Sequence, residues 1–410
     1  MYLLYAPVEK FNKIPPKTSL ICEEVKFTNN VALCNKFFWK KFHCLQGCRD
    51  ITPGWMKKMR QGRSLQNILV YATGGYGDVM WSMPFVKALR QKYPRARILI
   101  ATEERAMPIW LAFPHADLCV KDEYWNLQNL ITTADEVYDF GGIATILKKE
   151  MKLDPIEAVF NLGELPLPKN KKDCRPHLVV QLDEGKLMQA KLKREGIDVT
   201  TDKIITIALE SSTPNRNWPF TYVRLLSKML TDDGYKVVWL SESKDFGNTY
   251  FFGCSCGYEF NITVAQAPEN IAWKCPSCKK ENILSEFKQP DGVVNLGGKT
   301  NMREALALIA LSDCFIGPNS GLMVVSTSLD IPTVGLFGAF NPKLRAKFYE
   351  KFIGLWGRPS CAPCNEHWTE CKLGYPAPCM KMISVKEVHE AVTQLLNKYP
   401  RPILGKLPLS

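Results

Sequence analysis

Two close pairs of cysteines carry the most specific chemistry in the chain. They read Cys254-x-Cys256 and Cys275-x2-Cys278, with eighteen residues between the pairs. Gly257 follows the first pair, and Pro276 and Ser277 lie inside the second. Each pair can form a tight turn that aims two thiolates at one point. Two such turns give the tetrahedral four-sulfur environment that zinc prefers. A closed four-cysteine site leaves no open position for catalysis, so this zinc is expected to be structural. It would staple an insertion, residues 248–289, too small to bury a core of its own. A docking knob for a partner is the functional alternative.

A second set reads Cys361-x2-Cys364-x6-Cys371-x7-Cys379, stiffened by Pro359, Pro363, Pro376 and Pro378. It is a candidate second metal centre, with free buried thiols or a disulfide as alternatives. Cys44-x3-Cys48 beside His43 is a weaker pattern of the same kind.

A different chemistry is suggested by Gly74-Gly75-Tyr76-Gly77-Asp78. The loop joins a strand to a helix. Its glycines let backbone approach a ligand, and a helix N-terminus favours negative charge. Asp78 is either a general base or an N-terminal acid held by the helix dipole. The glycine spacing departs from G-x-G-x-x-G. Glu103 and Glu104 nevertheless end the next strand, where a dinucleotide fold places its ribose-binding acid.

The elements around these residues alternate. Asn67–Ala72, Arg97–Ala101, Asp117–Val120, Glu136–Asp139 and Ala158–Asn161 are short apolar runs that predict strands. Val79–Tyr93 predicts a helix. A basic helix runs from Glu184 to Arg194, and the pattern then restarts with Ile204–Leu209, Pro219–Asp232 and Lys236–Ser241. After the cysteine insertion come Val293–Asn295, a helix Met302–Leu311, Cys314–Gly317, a helix from Leu322, Thr333–Phe337 and a last helix Ser384–Tyr399. Repeated strand–helix alternation indicates parallel sheets. The fold class is α/β, with two Rossmann-like lobes facing a cleft and a small zinc ribbon inserted in the second. The expected divisions are 1–66, a basic cysteine-containing extension; 67–197, an N-terminal lobe; 198–398, a C-terminal lobe; and 399–410, a Pro-rich tail. Ligands of such sheets bind at the carboxyl ends of the strands.

The chain has 410 residues, 46% hydrophobic and 23% charged, which excludes extended disorder. No apolar run approaches the roughly 18 residues of a membrane span. The N-terminus lacks the basic start of a signal peptide. A cytoplasmic location is expected, where clustered cysteines read as metal sites. The net charge of +12 suits an anionic partner, including the surface of a membrane. The charge is spread rather than striped, so nucleic acid is not the expected partner.

Four stretches together resemble glycosyltransferase family 9, the heptosyltransferase family. The first is Gly75–Val79 with Pro84, Leu89 and Tyr93-Pro94-Arg95-Ala96; the second is Ser211–Pro219; the third is Asn295–Thr300. The fourth is Gly317–Met323, continued by Ile331–Gly338 and Asn341-Pro342. The resemblance spans about residues 67 to 395 and omits the N-terminal extension and the ribbon. It implies the GT-B architecture and an inverting, metal-independent transfer of a sugar from a nucleotide-diphospho-sugar, commonly ADP-heptose. It implies Asp78 as general base, with Gly74, Gly75 and Gly77 forming the acceptor-side loop. It implies that Ser211, Ser212 and Arg216 face the diphosphate, Arg216 standing where members carry lysine. Thr300 falls where members contact the base, and Asp245 is a candidate for the ribose. Asn319, Ser320 and Gly321 match a donor turn, with Asn319 replacing its usual acid and Val324 replacing histidine. The implied acceptor is a hydroxyl of a glycan, lipopolysaccharide-type or protein acceptor, anionic or lipid-linked. A catalytically inactive GT-B module that docks a partner through the ribbon is the competing reading, and a sugar-nucleotide epimerase is a third.

Overall fold

The computed structural model describes residues 67–123, 127, 130–131, 133–141, 143, 153–241, 249–253, 259–263, 272–275, 278–283, 290–364, 371, 373 and 377–400. The N-terminal extension 1–66, the tail from 401, Asp245, Cys254 and Cys256 lie outside the described residues. The chain divides into two compact units between His177 and Leu178.

The first unit holds β1 (Asn67–Tyr71), α1 (Tyr76–Trp81), α2 (Met83–Lys92), β2 (Arg97–Thr102), α3 (Met107–Trp110), β3 (Leu118–Lys121), β4 (Glu136–Asp139) and α4 (Pro155–Leu162). Its four strands are all parallel, in the order β3-β2-β1-β4. Ile68, Leu69 and Val70 are fully buried, as a strand covered on both faces requires. Phe85 of α2 packs edge-on against Tyr138, Phe140 and Phe160, with ring centroids 5.0, 5.0 and 5.5 Å apart.

Ala158–Asn161 is not a strand but part of α4. Asp154 Oδ1 accepts from the Ile156 N–H at 2.8 Å, and Glu157 Oε2 accepts from the Asp154 N–H at 3.3 Å. With Pro155 at the first helical position, this is a capping signal that outweighs a short apolar run. The helix expected over Val79–Tyr93 is two helices. They break at Ser82, whose hydroxyl donates back to Val79 O at 2.7 Å, and Pro84 then opens the second.

The second unit holds α5 (Leu182–Arg194), β5 (Ile204–Ala208), α6 (Phe220–Asp232), β6 (Lys236–Leu240), β7 (Thr249–Gly253), β8 (Glu259–Thr263), β9 (Ala272–Lys274), β10 (Glu281–Ile283) and β11 (Val293–Asn295). It continues with α7 (Met302–Leu311), β12 (Cys314–Pro318), α8 (Gly321–Ser328), β13 (Thr333–Phe337), α9 (Pro342–Arg345), β14 (Phe352–Trp356), α10 (Pro378–Lys381) and α11 (Val385–Lys398). Its main sheet is parallel, in the order β11-β6-β5-β12-β13-β14. The order reverses beside β5, so the switch point lies between β5 and β12. On one face α6 and α11 bury Val223, Leu226, Val388 and Leu395 in the sheet core, and Trp218 locks that layer by donating to Ile383 O at 3.0 Å.

The lobe boundary expected at 197 falls twenty residues earlier. Helix α5 belongs to the second unit because its charges are used there. Lys191 pairs with Glu304 at 2.9 Å, and Glu184 pairs with Arg303. Between β6 and β11 stand two separate antiparallel hairpins, β7–β8 and β9–β10. Among the described residues no helix is long and apolar enough to cross a membrane.

Candidate donor and base sites

The switch point of the second sheet gathers the second and fourth sequence motifs. The loop after β5 runs from Leu209 to Pro219. The loop after β12 carries Asn319 and Ser320 into α8. Arg216 joins them. Its Nε donates to Thr213 Oγ1 at 2.7 Å, Nη2 to Ser212 Oγ at 2.7 Å, and Nη1 to the main-chain oxygen of Asn319 at 2.6 Å. Only 8% of Arg216 is exposed. The resemblance implied that Arg216 faces the diphosphate with a bidentate fork; here that fork spans two loops and holds the guanidinium in a fixed frame.

Ser211 turns inward. Its hydroxyl donates to Thr213 O at 2.7 Å, and Asn217 Oδ1 accepts from the Ser211 N–H at 2.7 Å. Ser212 is exposed beside Arg216. Ser320 precedes α8, and its hydroxyl oxygen is buried without a hydrogen-bond partner among the described residues. Gly321 is the first residue of α8, where backbone N–H groups have no helical partner. An unused hydroxyl beside free helix N–H groups suits an anion.

Thr300 lies just before Asn301, which caps α7 by accepting from Glu304 N at 2.9 Å. Sequence reasoning missed Glu210 and Ser241. Ser241 Oγ donates to Glu210 Oε1, which ties the carboxyl ends of β5 and β6, and Gly298 N donates to Ser241 O at 3.1 Å. Both residues stand at the carboxyl end of a strand, within two positions of its last residue, and that position was the available signal.

In the first unit, Asp78 is the third residue of α1. Its Oδ2 accepts from the Gly75 N–H at 2.9 Å. Gly74 has φ +124°, and a Cβ there would stand 2.9 Å from that same oxygen. The loop glycine is therefore needed for both the backbone turn and the carboxylate. Arg105 Nη2 donates to Gly74 O at 3.0 Å and steadies the turn. Gly77 lies inside α1. At the carboxyl ends of β1 and β3, Tyr71 donates to Asp122 at 3.4 Å. Burial, then the charges of Asp122 and Asp139, push the Tyr71 hydroxyl well above its usual range. Burial and then Glu103 likewise raise Asp122.

Cys275 and Cys278 are described, and their partners in the expected four-thiolate set are not. Of the expected second set, Cys361, Cys364, Cys371 and Cys379 all lie within the described residues. Cys379 is buried in the core against Gly338, where an added Cβ would stand 2.4 Å from its sulfur. Burial raises its thiol to about 11, with the backbone N–H of Met380 opposing and Cys371, Cys364 and Cys361 adding. Among the described residues no group of three or more His, Cys, Asp or Glu could hold a metal ion.

Residues 270–373 match glycosyltransferase family 9 (heptosyltransferase). Lipopolysaccharide heptosyltransferase 2 of Salmonella typhimurium is 31% identical over 129 residues, which are 32% of this chain and 29% of that protein. The Escherichia coli protein of the same name matches to the same extent. The chain thus spans about three-tenths of the length of the curated relatives it matches. Among solved structures, a family 9 glycosyltransferase from Veillonella parvula aligns with TM-score 0.58 at 16% identity, over 82% of this chain and 99% of that one. E. coli ADP-heptose heptosyltransferase II aligns with TM-score 0.56 at 19% identity, over 82% and 100%. At under 20% identity these structural likenesses show a shared α/β fold.

Proposed function

We propose that the chain is a glycosyltransferase that takes a sugar from a nucleotide-diphospho-sugar, of the ADP-heptose kind, and passes it to a hydroxyl of a lipopolysaccharide-type glycan. The observation that carries this is the anion-ready corner of the second unit: the buried Ser320 hydroxyl, which has no partner among the described residues, the N-terminus of α8 and the Arg216 fork. A diphosphate leaving group builds negative charge as its bond to the sugar breaks. Preorganised donors at that place lower the barrier.

In the first unit Asp78 serves as the base. The acceptor O–H gives its proton to the Asp78 carboxylate as its oxygen bonds to the anomeric carbon. The bond from that carbon to the phosphate oxygen breaks, and the nucleoside diphosphate leaves from the opposite face, inverting the centre. The fixed position of Asp78 Oδ2 on the Gly75 N–H orients the carboxylate for this. The +12 net charge favours an anionic acceptor and a cytoplasmic membrane surface as the place of work.

The test is transfer itself. Purified full-length protein is incubated with ADP-heptose and a heptose-accepting glycan, and the product is read by mass spectrometry. Product formation that is lost in Asp78→Asn supports the proposal. Donor binding with no product from any glycan would favour a binding module.

A further inference from the structure

The connection from β1 to α1 leads to Asp78, and each residue from Tyr71 to Gly75 is held by a hydrogen bond. Tyr71 O accepts from the Phe140 N–H at 2.7 Å. Ala72 N donates to Ala101 O at 3.0 Å, and Ala72 O accepts from the Thr102 hydroxyl at 2.6 Å. Gly74 O accepts from Arg105, and the Gly75 N–H donates to Asp78 itself. The Thr73 side chain hydrogen-bonds the Tyr71 hydroxyl, which in turn donates to Asp122 at 3.4 Å. Asp122 is fixed through its own N–H, which donates to Thr102 O at 2.8 Å. The loop after β4 closes on the same spot: a Cβ at Gly141 would stand 2.9 Å from the Tyr71 ring and 3.0 Å from Thr73 Oγ1.

Packing does not explain the Tyr71–Asp122 pair. A phenylalanine would fill the same half-buried strand end without an acidic partner. Instead the charges of Glu103, Asp122 and Asp139 converge on one sheet edge, where Asp139 is only 3% exposed. Like charges brought together in this way oppose one another's ionisation and cost stability. Burial and the charges of Asp122 and Asp139 keep the Tyr71 hydroxyl protonated, so it stays a donor. The pair stands at the carboxyl ends of β1 and β3, the edge where sheets of this kind bind ligands. A local cost of this kind is tolerated where function uses it.

We propose that Tyr71 and Asp122 are positioning residues for Asp78: the phenol–carboxylate bond fixes Thr73 and, through it, the glycine turn on which the Asp78 carboxylate rests. The inference rests on the reading of Asp78 as the base. Proton transfer needs that carboxylate within hydrogen-bond reach of the acceptor hydroxyl, and a displacement of about 1 Å costs roughly 100-fold in rate. Tyr71 and Asp122 take no proton from the acceptor; they act through the loop.

The test is Tyr71→Phe in the full-length protein, read in two ways. Hydrogen–deuterium exchange needs no substrate: amides from Thr73 to Asp78 should exchange roughly tenfold faster than in the wild type, while those of β1 and β2 keep their protection. Transfer from ADP-heptose to a heptose-accepting glycan should show kcat lower by roughly 10–100-fold, with KM for ADP-heptose little changed. Asp122→Ala should behave alike, and Asp122→Asn, which keeps an oxygen for the Tyr71 hydroxyl, should recover part of the rate. In an Asp78→Asn background Tyr71→Phe should cause no further loss. Unchanged exchange in the loop would overturn the proposal, as would an unchanged kcat or an equal further loss in the Asp78→Asn background. Full transfer by Asp78→Asn alone would sink the base reading, while the exchange comparison still decides whether the pair holds the loop.

Discussion

Arg216 Nη1 donates to the main-chain oxygen of Asn319 across 2.6 Å, and this one bond ties together the loops that flank the switch point of the second sheet. The same guanidinium holds Ser212 and Thr213. Arg216→Ala should therefore act on both stability and ligand binding. It leaves buried acceptors without donors, at a cost of about 2–3 kcal/mol. Urea denaturation should show that loss, and donor affinity should fall with it. Arg216→Lys restores the charge but not the three-way fork, so it should recover only part of either.

Asp78→Asn separates the structural role of this side chain on the Gly75 N–H from the proposed role as base. Asparagine can still accept from the Gly75 N–H, so folding should be unchanged by thermal denaturation. It cannot take the acceptor's proton, so transfer should fall by roughly 10²–10⁴-fold. A variant that transfers at the normal rate would remove Asp78 from the mechanism.

Gly357 tests the packing beneath the donor sheet. A Cβ at this position would lie 1.7 Å from the main-chain oxygen of Cys379. Backbone cannot yield as a side chain does. Gly357→Ala should cost about 3 kcal/mol or more, read from chemical denaturation of the full chain.

Acid should weaken the second unit. Burial works against charge on Glu304, but the Asn301 backbone N–H and Lys191 prevail and hold its carboxyl below the ordinary range. Ser384, through its hydroxyl and backbone, does the same for Glu387. Both shifts are downward. Their stabilisation is complete above the unfolded carboxylate pKa of about 4.3 and is lost as pH falls through the lower folded values. Asp122 in the first unit is shifted upward, so its contribution runs the other way, present in acid and lost as pH rises. Denaturation midpoints between pH 7 and pH 3 should thus fall for the second unit.

The sheets were largely legible because buried parallel strands are short apolar runs, and Glu136–Asp139, Val293–Asn295 and Thr333–Phe337 end where the sequence placed them. Ala158–Asn161 misled because its apolar run is set in a capped helix, and the cap at Asp154 is a polar signal outside the run. Helix α5 was assigned to the wrong unit because Glu184 and Lys191 pair with residues more than a hundred positions away. Local patterning cannot see such pairs. The motif residues Ser212, Arg216 and Asn319 were found by resemblance, and the structure brings them together. Resemblance could not say that Ser211 faces its own loop or that Arg216 spans two. Those facts depend on which oxygen each donor reaches.

Ser320 gives the most direct test. Its buried hydroxyl has no partner among the described residues, so Ser320→Ala should leave the melting temperature unchanged or slightly higher. The measurement is isothermal titration of the full-length protein and of this variant with ADP-heptose. If Ser320 contacts the diphosphate, the wild type binds saturably and the variant binds roughly 10–100-fold more weakly, the loss of one hydrogen bond to a charged group. Equal affinity in the two proteins, or no binding by the wild type to ADP-, GDP- or UDP-sugars, would contradict a nucleotide-sugar site at the β5–β12 switch point.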